Sequence, residues 1–180
     1  MKYYTLLIII FVFNACKEPQ ARQPVSVKTG TFLQTSVERT KKRLQQENNL
    51  ILKYIKDDST NTYINSNNGF WYTYIRKDSL ASATPNFGDK ISYTYSVSDL
   101  MNTTIYTPED IGNKTYFIDQ QDEIIEGFRK GLKLIKQHEE IKYIFPSQLA
   151  YGYRGDGHKI NVNTPIVCTV SLHNITTKKD

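Results

Sequence analysis

The sequence predicts an α+β domain in which five antiparallel strands form a half-barrel sheet around one short helix. Thirteen Tyr and eight Phe against one Trp favour strands over a helical bundle, because aromatic side chains fit a pleated, half-buried surface. From residue 62 onwards apolar residues mostly alternate with polar ones, as they do in half-buried strands. Segment 123–135 instead has apolar residues at helical spacing, and four of them are expected to face inwards: Ile125, Phe128, Leu132 and Ile135.

The five predicted strands cover 69–75, 90–97, 116–118, 141–145 and 166–173. In the second strand the alternation assigns four residues to the core face: Ile91, Tyr93, Tyr95 and Val97. In the last strand Cys168 shares a face with Ile166, Val170 and Leu172. We therefore expect Cys168 to be a small buried side chain rather than a reactive thiol.

The first sixteen residues differ from the rest of the chain. Lys2 precedes an unbroken run of eight apolar residues at 6–13, which is too short to span a bilayer but suits the core of a secretory signal. The run ends in FNAC at 13–16, which resembles a bacterial lipobox, whose cysteine is lipidated and becomes the mature N-terminus. We expect a lipoprotein signal peptide at 1–16 with a lipid anchor on Cys16. The alternative is an ordinary signal peptide, or a retained anchor, in which Cys16 is incidental.

The next segments are a tether and a helix. Residues 17–35 contain Pro, Gly and polar residues without an apolar period and predict a flexible tether. Residues 36–58 predict an amphipathic helix with a narrow apolar stripe: Val37, Leu44, Ile51 and Ile55. Two interpretations stay open, since the helix can pack on its own domain or pair with the same helix of a second copy in a homodimer.

Charge and composition exclude some classes of function. The net charge is +5, but the basic residues are scattered rather than clustered on one face, so nucleic-acid binding is not expected. The three histidines, His138, His158 and His173, lack the spacing of metal ligands, and we expect no metal site. With Cys16 lipidated, Cys168 has no partner in the chain for a disulfide.

Residues 124–155 carry the most specific pattern, IIEGFRKGLKLIKQHEEIKYIFPSQLAYGYRG. An apolar pair leads into a Gly-broken helix, an alternating strand follows, and a loop with an aromatic residue between small residues comes last. This succession resembles FKBP-type peptidyl-prolyl isomerases through these positions: Ile124, Ile125, Gly127, Phe128, Gly131, Leu132, Pro146, Ala150, Tyr151 and Gly152. The resemblance implies an FKBP-like domain at 62–177 and isomerase activity that needs no cofactor.

The resemblance also implies a site. Rotation about an X–Pro bond faces a barrier of about 18–20 kcal/mol, and a dry aromatic pocket with a few directed donors suffices to lower it. The Ile125 backbone N–H and the Tyr151 hydroxyl would bind substrate carbonyls. The implied catalytic residues are Tyr95, Phe117, Ile124, Ile125, Phe128 and Tyr151, and the implied substrate-binding residues are Tyr106, Ile160 and Cys168. Core packing is the alternative for each of them.

Three positions depart from the family's pattern. Tyr106 stands where a pocket Asp is usual, Cys168 where a pocket Phe is frequent, and Asn161-Val162 where a Pro-Pro pair is common. A lost carboxylate would weaken turnover unless Asp99 or Asp110 replaces it, and no register favours either.

The functional expectation is a lipid-anchored isomerase that helps proteins of the bacterial envelope to fold, with its domain in the periplasm and a mild preference for the outer membrane. Its partners would be proline-containing polypeptides. The arrangement is similar to the isomerase lipoproteins associated with gliding motility. The alternatives are a non-catalytic module that grips proline-containing partners, and a structural envelope lipoprotein with a decayed pocket.

Overall fold

The computed structural model describes residues 29–80, 83–120 and 123–178. Its helices are α1 (Thr29–Asp57), α2 (Pro108–Ile111) and α3 (Glu126–Gly131), with a 3₁₀ turn at Ser147–Leu149. Its strands are β1 (Ile64–Asn65), β2 (Trp71–Arg76), β3 (Lys90–Ser98), β4 (Thr104–Tyr106), β5 (Lys114–Phe117), β6 (Glu140–Phe145) and β7 (Ile166–Thr176). The packing reported below lies within one compact unit that begins at Thr40.

The strands form one antiparallel sheet in the order β1-β2-β6-β7-β3-β4, and β5 also pairs with β3. This confirms the predicted α+β class with an open antiparallel sheet. The described residues contain seven strands rather than the five predicted. The two additional strands, β1 and β4, have two and three residues, and such short segments show no alternation from which a strand can be predicted.

The core lies between α3 and one face of the sheet. The residues predicted for that face of β3 are buried there, apart from Tyr95, which is half-buried. The helix ends at Gly131, four residues before the predicted end, yet Leu132 and Ile135 remain fully buried in the turn that follows. Gly127 allows the close approach of α3 to β6, because a Cβ atom there would lie 2.6 Å from Cδ1 of Phe145.

The C-terminal half of α1 covers the opposite face of the sheet. Ile51 and Tyr54 pack with Ile144 and Val167, which alternate along β6 and β7 with the residues of the main core. The interpretation that the helix packs on its own domain is therefore confirmed for this half. No helix among the described residues has the length and apolar character needed to cross a membrane.

The start of α1 corrects one predicted boundary. The helix begins at Thr29, seven residues before the predicted start, so 29–35 are helical rather than tether. This segment, TGTFLQT, contains three Thr and one Gly, which are weak helix formers, so local propensity did not predict the extension. The predicted signal peptide at 1–16, with Cys16, and the first part of the tether lie outside the described residues.

Candidate active site

Phe128 lies at the centre of an aromatic cluster. It lies on the inward-facing side of α3 and is only 2% exposed. The centre of its ring is 4.7 Å from that of Tyr95, 6.2 Å from that of Tyr93 and 5.6 Å from that of Phe145, and all three pairs meet edge to face. Edge-to-face geometry places the positive rim of one ring against the negative face of the next, which fixes the orientation of each ring. The cluster is therefore a rigidly packed group of rings, of which Tyr95 is the half-buried member.

Two half-buried tyrosines, Tyr95 and Tyr151, pack against this core. Burial raises the pKa of Tyr95 to about 12 and raises the pKa of Tyr151 well above its ordinary value. Both phenols are therefore protonated at neutral pH and can donate a hydrogen bond. Within the described ranges, no hydrogen bond joins the hydroxyl of Tyr151 to another residue, so this donor is available to a bound molecule.

The apolar pair before α3 packs against the same cluster. Ile124 and Ile125 are half-buried. The carbonyl of Ile125 accepts hydrogen bonds from the N–H groups of Phe128, at 3.0 Å, and Arg129, at 3.2 Å, which fixes this residue at the helix start. Among the described residues no backbone hydrogen bond uses the N–H of Ile125. Its backbone donor is thus available, as the resemblance implies.

Asp156 organises the loop that follows Tyr151. Its Oδ1 accepts hydrogen bonds from the N–H groups of His158 and Ile160, each at 2.8 Å. Gly155 has a φ of +68°, and a Cβ atom there would lie 2.5 Å from the carbonyl oxygen of Ile160, so this tight loop requires glycine. The loop buries the Ile160 side chain to 3% exposure, beside the aromatic cluster.

Asp156 also supplies a carboxylate next to Tyr106. The Tyr106 hydroxyl donates to Oδ2 of Asp156 at 2.5 Å, and the Lys159 ammonium lies 4.9 Å from the centre of the Tyr106 ring. Partial burial opposes ionisation of Asp156, but this hydrogen bond and those from His158 and Ile160 hold its pKa below the ordinary range. The tyrosine at the usual Asp position is therefore paired with a carboxylate from the opposite loop.

The comparison with known proteins decides the family. Residues 81–173 match the model of FKBP-type peptidyl-prolyl cis-trans isomerases, which is just over half of the chain. The chain belongs to the FKBP-type peptidyl-prolyl cis-trans isomerase family.

A curated relative and two solved structures agree with this assignment. The chain is 30% identical over 61 residues to a protein named "Probable FKBP-type peptidyl-prolyl cis-trans isomerase" from Haemophilus influenzae. That match covers 34% of this chain and only 25% of the relative. A peptidyl-prolyl cis-trans isomerase from Pseudomonas syringae superposes with a TM-score of 0.60 at 16% identity, covering 77% of this chain and 96% of that one. FkpA from Escherichia coli superposes with a TM-score of 0.59 at 19% identity, covering 98% of this chain and 82% of that one. At these identities the structural likeness concerns the fold.

One predicted FKBP site residue, Phe117, lies outside the cluster. Phe117 is 36% exposed and pairs with Lys90, the first residue of β3. The Lys90 ammonium lies 5.8 Å from the centre of the Phe117 ring. Its neighbour Tyr116 is the inward-facing residue of β5 because side chains alternate along a strand. Cys168 is fully buried, as its strand pattern predicted, and burial raises the pKa of its thiol. Phe117 therefore lies apart from this cluster, whereas Cys168 belongs to its buried core beside Tyr95 and Tyr151.

The structure brings together the other predicted FKBP site residues: Tyr95, Tyr106, Ile124, Ile125, Phe128, Tyr151 and Ile160. Neither Asp99 nor Asp110 replaces the missing carboxylate. Asp99 accepts from the backbone of the turn at 101–103, and Asp110 caps α2 through Thr107. Sequence reasoning missed Asp156, although an Asp between two glycines is a recognisable signal for a side chain that closes a turn.

Proposed function

We propose that this protein catalyses cis–trans isomerisation of X–Pro bonds in polypeptides. The observation that supports this most is the packed aromatic cluster of Phe128 and the half-buried Tyr95, together with the half-buried Tyr151, whose protonated hydroxyl has no hydrogen-bond partner among the described residues. Isomerisation forms and breaks no covalent bond, so the site needs no nucleophile, acid or metal. It needs a surface for the proline ring and donors for the flanking carbonyls.

The mechanism follows from the change in the amide during rotation. In the twisted transition state amide resonance is lost, and the barrier of about 18–20 kcal/mol reflects that loss. A low-dielectric aromatic surface favours the less polar twisted form over the planar one. The Tyr151 hydroxyl and the Ile125 N–H would hold the carbonyls that flank the nitrogen, and their fixed positions avoid reorganisation during rotation.

The proposal is tested by measuring X–Pro exchange in short peptides by NMR exchange spectroscopy, with wild type and two variants. Tyr151→Phe removes the hydroxyl donor and should lower kcat/KM by up to about tenfold, because a neutral hydrogen bond contributes about 0.5–1.5 kcal/mol. Phe128→Leu keeps an apolar core residue but removes the ring and should lower it further. Tyr72→Phe is the matched control, because this half-buried tyrosine lies on β2, outside the Tyr151 loop. A wild-type rate equal to the uncatalysed rate would refute the proposal.

A second function, a non-catalytic module that grips proline-containing segments, is favoured by one observation. The hydroxyl of Tyr106 is committed to Asp156, so this carboxylate is less available to a substrate than an unpaired one would be. NMR titration separates the two functions. Saturable binding of proline peptides without accelerated exchange would establish the binding module.

We further propose that Cys16 is lipidated and anchors the domain to the envelope, with the outer membrane preferred, where it assists the folding of envelope or secreted proteins. The lipobox-like FNAC segment supports this. Labelling with a palmitate analogue, lost in Cys16→Ser, tests the anchor. Sedimentation of the intact chain tests pairing through the 36–57 helix, and gliding of a deletion strain tests a role in motility. Soluble, unlabelled wild-type protein in the native host would refute the anchor.

A further inference from the structure

A cavity of about 390 Å³ opens beside the Tyr151 loop. Its wall combines residues of the loop, Tyr151 among them, with Arg43 from α1 and Arg154 from the loop itself. The cavity therefore adjoins the site described above and carries two permanently charged guanidinium groups, since arginine does not lose its proton in proteins.

Among the described residues, no carboxylate forms an ion pair with either guanidinium, that of Arg43 or that of Arg154. Arg154 is instead held against the ring of Tyr153, with 5.4 Å between guanidinium carbon and ring centre, and its Nε donates to the Tyr153 hydroxyl at 3.2 Å. This contact uses one donor of Arg154 and leaves its terminal N–H groups for another acceptor.

The position of Arg43 is fixed by the next turn of α1. Four residues on, Glu47 is buried, and its two oxygens accept from the backbone N–H of Ser147 at 2.5 Å and from the Ser147 hydroxyl at 2.7 Å. The carboxylate closest to Arg43 along the helix is thus used by Ser147. Because residues four apart lie on the same helix face, this anchor holds Arg43 towards the loop that follows Ser147.

We propose that this cavity binds the side-chain carboxylate of an Asp or Glu residue close to the proline of a client polypeptide. The position next to the proline rests on the proposed isomerase function. Planar guanidinium groups match carboxylates in geometry and charge, and a site of two such groups beside Tyr151 would select acidic proline-containing segments. Such selection adds substrate specificity to a pocket that otherwise recognises only proline.

The test compares pairs of acetylated and amidated peptides that contain one proline and differ by Glu against Gln at one of the two positions on either side of it. Both kcat/KM, from NMR exchange, and Kd, from titration, are measured at low and high salt. For at least one position we expect a preference for Glu over Gln of about fivefold at low salt, the order expected of partly exposed charge-assisted contacts. High salt should reduce this preference.

Variants assign the effect to the cavity. Arg43→Gln and Arg154→Gln should each reduce the ratio of Glu to Gln values, and the double variant should bring it close to one. Lys53→Gln, which removes a charge from an exposed position of α1, should leave the ratio unchanged. Equal Glu and Gln values for wild type at every position, or the same ratio in the double variant, would overturn the subsite. Catalysis without Glu preference would leave the isomerase intact, whereas tighter Glu binding without catalysis would retain the subsite and reject the isomerase.

Discussion

Glu47→Ala should destabilise the domain strongly although the residue lies outside the region that matches the family. Glu47 is buried, and its carboxylate accepts two hydrogen bonds from Ser147, which is 1% exposed. The substitution removes both acceptors and leaves the Ser147 backbone N–H buried without a partner. Ser147 in turn accepts from the N–H of Gly152 at 2.8 Å, so the loss reaches the residue next to Tyr151.

The magnitude follows from these contacts. A buried donor left without a partner costs about 1–3 kcal/mol, and hydrogen bonds to a charged group contribute about 1.5–3 kcal/mol each. The cost of burying the Glu47 charge, which alanine avoids, offsets part of this loss. We expect a net loss of about 3 kcal/mol for Glu47→Ala. Glu47→Gln keeps one acceptor and one donor in nearly the same shape and should lose about 1 kcal/mol.

Urea unfolding measures the difference. With a slope of about 2 kcal/mol per M, Glu47→Ala should shift the midpoint down by about 1.5 M and Glu47→Gln by about 0.5 M. The control is Gln46→Ala, on the exposed side of the same helix, which should change the midpoint little. Amide exchange at Gly152 should accelerate in Glu47→Ala. Equal midpoints for Glu47→Ala and Gln46→Ala would show that the Glu47 contact contributes no net stability.

Three further predictions concern the site and the core. Tyr106→Phe removes a donor and should raise the pKa of Asp156, as followed by carboxyl NMR. The pKa of Asp156 is lower in the folded than in the unfolded protein. Ionised Asp156 therefore stabilises the fold at pH values above its unfolded-state pKa, and this stabilisation is lost as the pH falls through its folded-state pKa. In Tyr106→Phe the free energy of unfolding should therefore fall less as the pH is lowered. An unchanged pKa of Asp156 in this variant would contradict the pairing of Tyr106 with Asp156. Gly127→Ala should cost about 1–3 kcal/mol in thermal unfolding, because its Cβ meets the Phe145 ring, and an unchanged Tm would be inconsistent with that contact. Cys168 should resist alkylation until the protein unfolds, as peptide mapping can show, and rapid labelling of native protein would exclude its burial.

The parts of the fold that the sequence predicted are those with a clear period. In β3 every second residue over eight positions is apolar, so its face could be assigned before any contact was known, and Ile91, Tyr93 and Val97 are buried accordingly. The spacing around Phe128 placed that ring inwards even though α3 is shorter than expected. Gly127 is one of the ten positions that carried the family resemblance, and the structure gives its physical reason, because the close packing of α3 on β6 leaves no room for a Cβ atom there.

The parts that could not be predicted depend on contacts between distant segments. Tyr116, Phe117 and Ile118 are all large and apolar, so a strand of four residues offered no alternation by which to choose the inward ring. Asp156 reaches Tyr106 across 50 positions and Glu47 reaches Ser147 across 100. No local spacing encodes such pairs.

Those two carboxylates hold the loop around Tyr151 from both sides. Glu47 fixes Ser147, four residues before Tyr151, and Asp156 closes the turn that ends at Ile160. A donor that stabilises a twisted amide is effective only where it is already oriented, since reorientation during rotation would cost part of the stabilisation. The helix outside the family match and the loop carboxylate inside it therefore serve the same requirement. If this is correct, Glu47→Ala should lower kcat/KM with little change in KM, whereas a purely structural loss would reduce only the amount of folded enzyme.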